Sequence, residues 1–278
     1  MKLTVLTSTY KLFMKEQQIE ALTKQTFKDF EWVIVDDSYE QNKGFTCSFP
    51  VVHMPPKEIV PYFALASCFN DGLVRASGKY VFFMNDYIIP SPTCLARHWE
   101  VQENMGGCIL SGRTLAVDGM PANIDGKLTM LKDYRMSIFD TETIKSKDAG
   151  DGLREVGRDG IQCWWSGRND SAPLQAMLDC NGFEEAFDGR WGGQDADMSQ
   201  RLMTYGLKYY VDTKSFCTEY EHQRGNKKAV RDEAQQQGLQ DLIINPMVKR
   251  KEYIANNQWL IMLPRNIKEE REQLSKLP

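Results

Sequence analysis

The N-terminal part of the chain alternates between two patterns of apolar positions. Four short runs of β-branched or wholly apolar residues predict strands at 3–7, 30–38, 51–54 and 80–84. Two segments in which apolar residues recur every three or four positions predict helices at 16–23 and 62–78. Strands that alternate with helices are typical of an α/β fold with a mixed, mostly parallel sheet and helices on both faces.

The pattern is less regular in the rest of the chain. Pro90 and Pro92 precede a predicted helix over 93–104. Residues 118–160 are rich in Gly, Asp and Lys without clear periodicity, which predicts an insertion or long loops, in the manner of a lid. The polar C-terminal segment predicts helical structure that ends in a solvated helix over 268–276. Further elements are predicted as strands at 108–110, 113–117 and 207–212 and as helices at 172–178 and from Asp195.

Composition and charge are those of an ordinary globular protein. The 278 residues carry a formal net charge of -4, so the overall charge does not indicate a nucleic-acid ligand. Seven cysteines without a C-x-x-C pair, most of them flanked by apolar residues, predict buried free thiols in a reducing compartment. No run approaches the roughly 18 apolar residues of a membrane helix, and the N-terminus is typical of a first strand. We therefore expect a cytoplasmic protein without a membrane span.

Polar side chains follow three of the predicted strands, at 7–10, 36–38 and 85–87. In an open α/β sheet, ligands bind at the carboxyl ends of the parallel strands. Acids at a single strand end are as often helix caps or turn formers. Three polar ends at one edge of a sheet favour a binding site.

The acids at these strand ends have the chemistry of a nucleotide and metal site. Asp36 and Asp37 can accept hydrogen bonds from a base or a ribose. Asp86 follows an entirely apolar strand and is suited to a hard divalent cation such as Mg²⁺ or Mn²⁺. A cation that bridges a diphosphate would explain how an acidic protein holds an anionic ligand.

Four segments, in their order and spacing, resemble the family 2 glycosyltransferases with the GT-A fold. They cover most of residues 1–125 and 160–222, and they read TVLTSTY, QTFKDFEWVIVDDS, NDGLVRASGKYVFFMNDYIIPSP and NGFEEAFDGRWGGQDADMSQRL. The resemblance implies a GT-A glycosyltransferase domain over 1–225, with a C-terminal helical extension over 226–278. Within the domain, 1–110 would be the nucleotide-sugar half, 111–160 an insertion or loops, and 161–225 the acceptor half.

The resemblance also implies a nucleotide pocket at the first two strand ends, lined by Thr7, Thr9, Tyr10, Asp36 and Asp37.

At the third strand end, the resemblance implies that Asn85 and Asp86 contact the donor. Asp86 and His222 would hold Mn²⁺ or Mg²⁺. This chain departs from the family there, because Tyr87 replaces the acid that is usually the main metal ligand. Phe69 likewise replaces a frequent phosphate-binding arginine.

The segment RWGGQDADMSQRL resembles the acceptor-side motif of the family, and its WGG resembles that of galactosyltransferase-type members. The resemblance implies that Trp191 packs on the sugar and the acceptor and that Gly193 permits close backbone approach. It implies that Asp195 is the catalytic base of an inverting transfer. Gln194 replaces the family's glutamate, and Asp197 is interpreted as a helix cap or a structural residue.

Two neighbouring segments add candidates. In CWWSGRNDSAP, one of Trp164 and Trp165 is predicted to line the site and the other to pack in the core, because adjacent strand residues face opposite ways. The basic run 224–228 after His222 is interpreted either as a loop over the diphosphate or as a solvated charge run.

The predicted function is a metal-dependent, inverting transfer of a sugar from a nucleotide-sugar, a UDP-sugar being favoured, to an acceptor hydroxyl. The acceptor is a glycan, a small molecule or a protein. Asn85, Tyr87 and Gln194 leave open a non-catalytic or metal-independent sugar-nucleotide-binding homologue. A glycosyltransferase acting on hydroxymethylated DNA bases also stays open. A nucleotidyltransferase is disfavoured, because TSTYKLFMK lacks the glycines of a phosphate-binding loop.

Overall fold

Eleven strands form one sheet in the computed structural model, which describes residues 1–9, 15–58, 64–117, 130–132, 146–156, 165–188, 194–220 and 265–276. The strands are β1 (Leu3–Thr9), β2 (Phe30–Asp36), β3 (Val51–Met54), β4 (Tyr80–Phe83), β5 (Ile88–Pro90), β6 (Ile109–Val117), β7 (Met130–Lys132), β8 (Ser146–Gly150), β9 (Leu153–Val156), β10 (Asp170–Pro173) and β11 (Tyr209–Tyr220). The helices are α1 (Lys15–Thr23), α2 (Tyr39–Asn42), α3 (Leu65–Arg75), α4 (Cys94–Asn104), α5 (Leu174–Asp179), α6 (Gln194–Tyr205) and α7 (Ile267–Leu274).

The strand order brings several strand ends to one edge of the sheet. The order is β3-β2-β1-β4-β10-β6-β11-β9-β8, with β5 paired to β11 and β7 paired to β6. The strands β1 to β4 run parallel, whereas β10 is antiparallel to β4, so that Asp170 lies opposite Phe83. We call the edge marked by Thr9, Asp36, Asn85 and Asp170 the C-terminal edge. The predicted mixed sheet flanked by helices is confirmed.

Helices cover both faces of the sheet, because alternate strand residues point into two different apolar cores. On one face, Leu6, Val33 and Phe83 pack in the core that also contains residues of α3, α5, α6 and α7. On the other face, Val5 and Trp32 pack with residues of α1 and α4. Burial on both faces explains why β2 and β4 lack an alternation of polar and apolar residues.

The segment predicted as an insertion or long loops contains strands. The strand β6 is continuous, and β8 and β9 form a hairpin that joins the sheet through the pairing of β9 with β11. Residues 147–150 of β8 are exposed and polar, so no apolar alternation marks this strand in the sequence. Residues 118–129, 133–145 and 157–160 of the predicted insertion lie outside the described residues.

Two glycines allow α3 and the turn after it to approach β1 closely. A Cβ atom at Gly72 would lie 2.1 Å from Leu6 Cδ1, and one at Gly78 would lie 2.4 Å from the backbone nitrogen of Thr4. A larger residue would force the helix or the turn away from the strand. The two glycines of NDGLVRASGKY therefore allow α3 to pack closely on β1, the strand that ends in Thr9.

The six cysteines among the described residues are free thiols, and five of them are buried, as predicted; Cys163 lies outside the described residues. Cys94 Sγ and Cys217 Sγ lie 3.7 Å apart, well beyond the roughly 2.05 Å of a disulfide bond. No described helix combines the length and the hydropathy that crossing a bilayer requires.

The C-terminal helix α7 packs on the core, although its sequence predicts a solvated helix. Ile267 is fully buried in the same core as residues of α3 and α6. Arg271 Nη1 donates to the carbonyl oxygens of Leu73 and Val74, at 3.3 and 3.1 Å, at the end of α3. Ile267, the partly buried Leu274 and Arg271 thus attach α7 to the domain, while residues 226–264 lie outside the described residues.

Replacing Ile267 tests this attachment. We expect Ile267→Ala to lower the free energy of unfolding by about 2–5 kcal/mol, because the change removes buried methyl groups and leaves a cavity. Urea unfolding followed by tryptophan fluorescence measures the change. Glu272→Ala, on the exposed side of the same helix, is the control and should shift stability by less than about 0.5 kcal/mol. An effect of Ile267→Ala no larger than the control would contradict the assignment of α7 to the core.

Candidate functional site

A hydrogen bond between Thr9 and Asp86 joins the ends of β1 and β4. Thr9 Oγ1 donates to Asp86 Oδ2 at 2.7 Å, and both side chains are buried. The parallel pairing of β1 with β4 brings these residues together although they are 77 positions apart in the sequence. Two of the predicted site residues therefore meet at the C-terminal edge.

The turn Asn85–Tyr87 is held from both sides. Gln18 Nε2, on α1, donates to the carbonyl oxygens of Asn85 and Ile88 at 2.9 and 3.0 Å. The backbone N–H of Asn85 donates to the carbonyl of Gly167 at 3.0 Å, and Asn85 Nδ2 donates to the Tyr87 hydroxyl at 3.1 Å. Burial is the main cause that raises the pKa of Tyr87 to about 12. The phenol is therefore protonated at neutral pH and does not replace the missing carboxylate.

The two acids at the end of β2 have different surroundings. Asp36 is fully buried, and its carboxylate accepts from the Ser38 N–H at 2.8 Å and from Asn42 Nδ2 at 2.9 Å, with His53 Nε2 at 3.0 Å. Asp37 is partly exposed, and burial raises its pKa above the ordinary value. Asp36 therefore serves the turn that starts α2, which leaves Asp37 as the acid that a ligand can reach.

Thr7, predicted in the nucleotide pocket, lies beneath it. Its Oγ1 accepts a hydrogen bond from Trp32 Nε1 at 2.9 Å, and both residues are fully buried. The hydroxyl therefore fixes a tryptophan of the core.

An arginine and a glutamate that sequence reasoning did not single out lie next to the Asn85–Tyr87 turn. Gly167 adopts a φ of +65°, which favours glycine, and Arg168 follows it. Arg168 Nη1 forms an ion pair with Glu219, which sits opposite Ile88 where β11 pairs with β5. Burial would lower the pKa of Arg168, but the neighbouring groups Glu219, Tyr87 and Asp170 together raise it above its ordinary value. The sequence carried no signal for this pair. Glu219 is positioned by the pairing of β11 with β5, and the three residues of β5 are too few to show a strand pattern.

The segment that precedes α6 packs on the first turn of α3 through Asp188. The carboxylate of Asp188 accepts from the backbone N–H groups of Ala66 and Ser67, at 2.8 and 2.9 Å, in the first turn of α3. That end of α3 faces the C-terminal edge, because the helix runs back to the start of β4. Asp195 follows Asp188 by seven residues and lies in the first turn of α6. It is partly exposed, and Gln194 Nε2 lies 3.5 Å from its Oδ2.

Asn70 docks the segment that precedes α6. Its Oδ1 accepts from the N–H of Phe183 at 2.7 Å, and its Nδ2 donates to the carbonyl of the same residue at 2.8 Å. Gly182 has a φ of +66°, and a Cβ atom there would lie 2.2 Å from Asn70 Oδ1. Asn70 of NDGLVRASG and Gly182 of NGF therefore lie against each other, although the two motifs are far apart in the sequence.

Two further candidates belong to the core of the described structure. Asp197 forms a buried ion pair with Arg201, 2.8 Å apart, one helical turn later, which agrees with its interpretation as a structural residue. Trp165 is 2% exposed, and its ring centroid lies 5.0 Å from that of Phe83. Trp165 is thus the core member of the tryptophan pair, and Trp164 lies outside the described residues.

Several predicted site residues lie outside the described residues, namely Tyr10, Trp191, Gly193, His222 and the basic run 224–228.

The described residues fit a divalent cation through a single carboxylate. Asp86 is an oxygen ligand of the right kind at the strand end, with one oxygen held by Thr9. Within the described part of the chain, no group of three or more His, Cys, Asp or Glu could hold a metal ion. Mg²⁺ commonly binds through one or two carboxylates together with substrate phosphates and water. The site therefore fits a cation that arrives with a diphosphate better than one held by the protein alone.

No protein-family profile and no curated protein matches the chain. Solved structures do match. The structure of S. aureus TarS aligns with a TM-score of 0.52 and 15% identity over 80% of this chain and 37% of TarS. TarS 1–349 in complex with UDP aligns with a TM-score of 0.52 and 16% identity, over 80% and 61% of the two chains. TarS 1–349 in complex with UDP-GlcNAc gives 0.51 and 18%, over 80% and 60%.

The chain spans between 37% and 61% of the length of these structures. At 15–18% identity, the likeness concerns the fold. The chain has the mixed α/β architecture of the TarS structures, a central, mostly parallel sheet flanked by helices.

Proposed function

We propose that this chain transfers a sugar from a UDP-sugar to an acceptor hydroxyl, with inversion and with the help of a divalent cation. The observation that supports this function most directly is that Asp37 and Asp86 follow β2 and β4 at one edge of the sheet, while Asp188, seven residues before Asp195, caps the first turn of α3. Structures of TarS 1–349 hold UDP and UDP-GlcNAc, which favours a UDP-sugar as the donor here.

On the donor side, we assign nucleotide contact to Asp37, because protein groups already engage the carboxylate of Asp36. The partly exposed carboxylate of Asp37 can accept a hydrogen bond from a base N–H or a ribose hydroxyl. Asp86 would hold the cation together with the diphosphate, and His222 is proposed as a second protein ligand. When bound, the cation would offset the negative charge on the departing diphosphate.

On the acceptor side, Asp195 would take the proton from the acceptor hydroxyl as its oxygen attacks the anomeric carbon. Its position in the first turn of α6 places it at the positive end of the helix dipole, which favours the ionised carboxylate that a base requires. Trp191 and Trp164 are proposed as walls for the sugar and the acceptor. Inversion follows if the acceptor oxygen attacks the face of the anomeric carbon opposite the bond to the diphosphate, which breaks as UDP departs.

A non-catalytic sugar-nucleotide-binding protein is the alternative that specific residues favour. The protonated Tyr87 and the uncharged Gln194 stand where the resembled family has acids. Such a protein would bind UDP and its sugars without turnover. A DNA acceptor has no support from the net charge of -4.

Replacing the proposed base distinguishes a glycosyltransferase from a non-catalytic sugar-nucleotide-binding protein. We expect Asp195→Asn to lower sugar transfer by at least about 100-fold, because the amide cannot accept the proton, and to leave UDP affinity unchanged. The nucleoside diphosphate released from each donor measures turnover in a screen of UDP-, GDP- and TDP-sugars, and calorimetry measures binding. Asp148→Asn, an exposed acid on β8, is the matched control. Full activity of Asp195→Asn would remove the base assignment, and binding without turnover in the wild type would favour the non-catalytic alternative.

Metal dependence has its own test. We expect Mn²⁺ to strengthen UDP binding by about 10-fold or more relative to EDTA, because the cation offsets the charge of the diphosphate. Asp86→Asn should abolish this difference, since it removes the described carboxylate at the strand end. Calorimetry with UDP in Mn²⁺ and in EDTA measures both. Equal affinities of the wild type in the two buffers would contradict a cation in the donor site.

A further inference from the structure

Arg168 lies against the turn that carries Asp86. The loop 165–169 leads into β10, whose first residue is paired with the last residue of β4. Its Gly167 carbonyl accepts from the Asn85 N–H at 3.0 Å. The loop therefore touches the backbone of the Asn85–Tyr87 turn, and the arginine that follows Gly167 is placed at the C-terminal edge.

The guanidinium of Arg168 is only partly used by the described residues. Nε donates to Ser166 Oγ at 3.2 Å and Nη1 pairs with Glu219, while Nη2 makes no hydrogen bond to any described residue. The side chain is 30% exposed. Arginine carries five N–H donors in a planar fork that matches phosphate oxygens. Arg168 therefore has donors left for a ligand.

Two structural arginines of the same chain, Arg97 and Arg265, have more carboxylate partners than Arg168. Arg97 is 10% exposed and is paired with Asp212, Asp151 and Glu100. Arg265 is 16% exposed and contacts three carboxylates as well. These side chains are surrounded by acids that fix them between elements. Among the described residues, the guanidinium of Arg168 forms an ion pair with Glu219 alone, its backbone N–H donates to Asp170 Oδ2 at 3.2 Å, and Nη2 makes no hydrogen bond.

The side chains at the C-terminal edge are mainly acidic, so an arginine there would reduce the repulsion of a diphosphate. Asp37, Asp86 and Glu219 are acidic, so an incoming diphosphate meets negative charge at the place where the proposed donor binds. A guanidinium beside the strand end offsets part of this repulsion, and phosphate oxygens can replace a carboxylate as its partner.

We propose that Arg168 binds the diphosphate of the nucleotide-sugar donor and that Glu219 competes with the donor for its guanidinium. This inference rests on the proposed function and adds a specificity-determining residue to the same site. In the absence of donor, Glu219 holds the arginine at the edge. When the donor binds, its phosphate oxygens take the unused side of the fork and weaken the ion pair with Glu219.

Opposite effects of two substitutions test the competition. We expect Arg168→Gln to raise the Kd for UDP by about 10-fold or more, because it removes charge-assisted hydrogen bonds to phosphate, and to leave the Kd for uridine unchanged. Glu219→Gln should lower the Kd for UDP several-fold, because an amide competes less well for the guanidinium. Calorimetry with uridine, UMP and UDP at one salt concentration measures the series. Arg168→Lys keeps the charge without the fork and should fall between wild type and Arg168→Gln.

Arg97→Gln is the matched control for the loss of a structural ion-paired arginine, and it should leave the Kd for UDP unchanged. Unaltered uridine binding shows that the nucleoside part of the site is folded in each variant. An unchanged UDP affinity in both Arg168→Gln and Arg168→Lys overturns the inference. So does an equal weakening of UDP binding by Arg168→Gln and Glu219→Gln, which is the result expected of a purely structural pair. If the wild-type chain binds neither uridine nor UDP, the proposed function fails as a whole.

Discussion

The contact between Asn70 and the backbone of Phe183 holds together the two halves of the candidate site. Two hydrogen bonds, 2.7 and 2.8 Å long, join the middle of α3 to a segment more than a hundred residues later. Asp188 then caps α3 in the same segment. These contacts fix the segment that precedes α6 against α3.

The division of labour among the acids follows from their burial and their partners. Asp36 and Asp197 are buried and paired, so they stabilise turns and helices. Asp37 and Asp195 are partly exposed, and Asp86 is held by one hydroxyl at a strand end. Because these side chains are acidic, a diphosphate that binds near them needs positive charge from other groups. A cation on Asp86 and the guanidinium of Arg168 are the two sources that we propose.

The sequence predicts the first half of the fold well, because both faces of β1, β2 and β4 are buried and their residues are correspondingly apolar. It predicts much less for β8 and β5. The residues 147–150 of β8 are exposed and polar, and β5 has three residues, so neither carries a periodic signal. The sequence also does not reveal that α7 packs on the core. One buried apolar residue, Ile267, in a charged segment is not enough to distinguish a packed helix from a solvated one.

Local pattern and composition by themselves determined the alternation of strands and helices, the free thiols and the polar strand ends, because each depends on residues that are close in sequence. Only the tertiary structure decided which of Asp36 and Asp37 a ligand can reach, that Thr7 and Trp165 belong to the core, and that Arg168 stands beside the Asn85–Tyr87 turn. These outcomes depend on hydrogen bonds and ion pairs between residues far apart in the chain, such as Thr9 with Asp86 and Arg168 with Glu219. Their partners are chosen by strand register and helix packing, which no short stretch of sequence specifies.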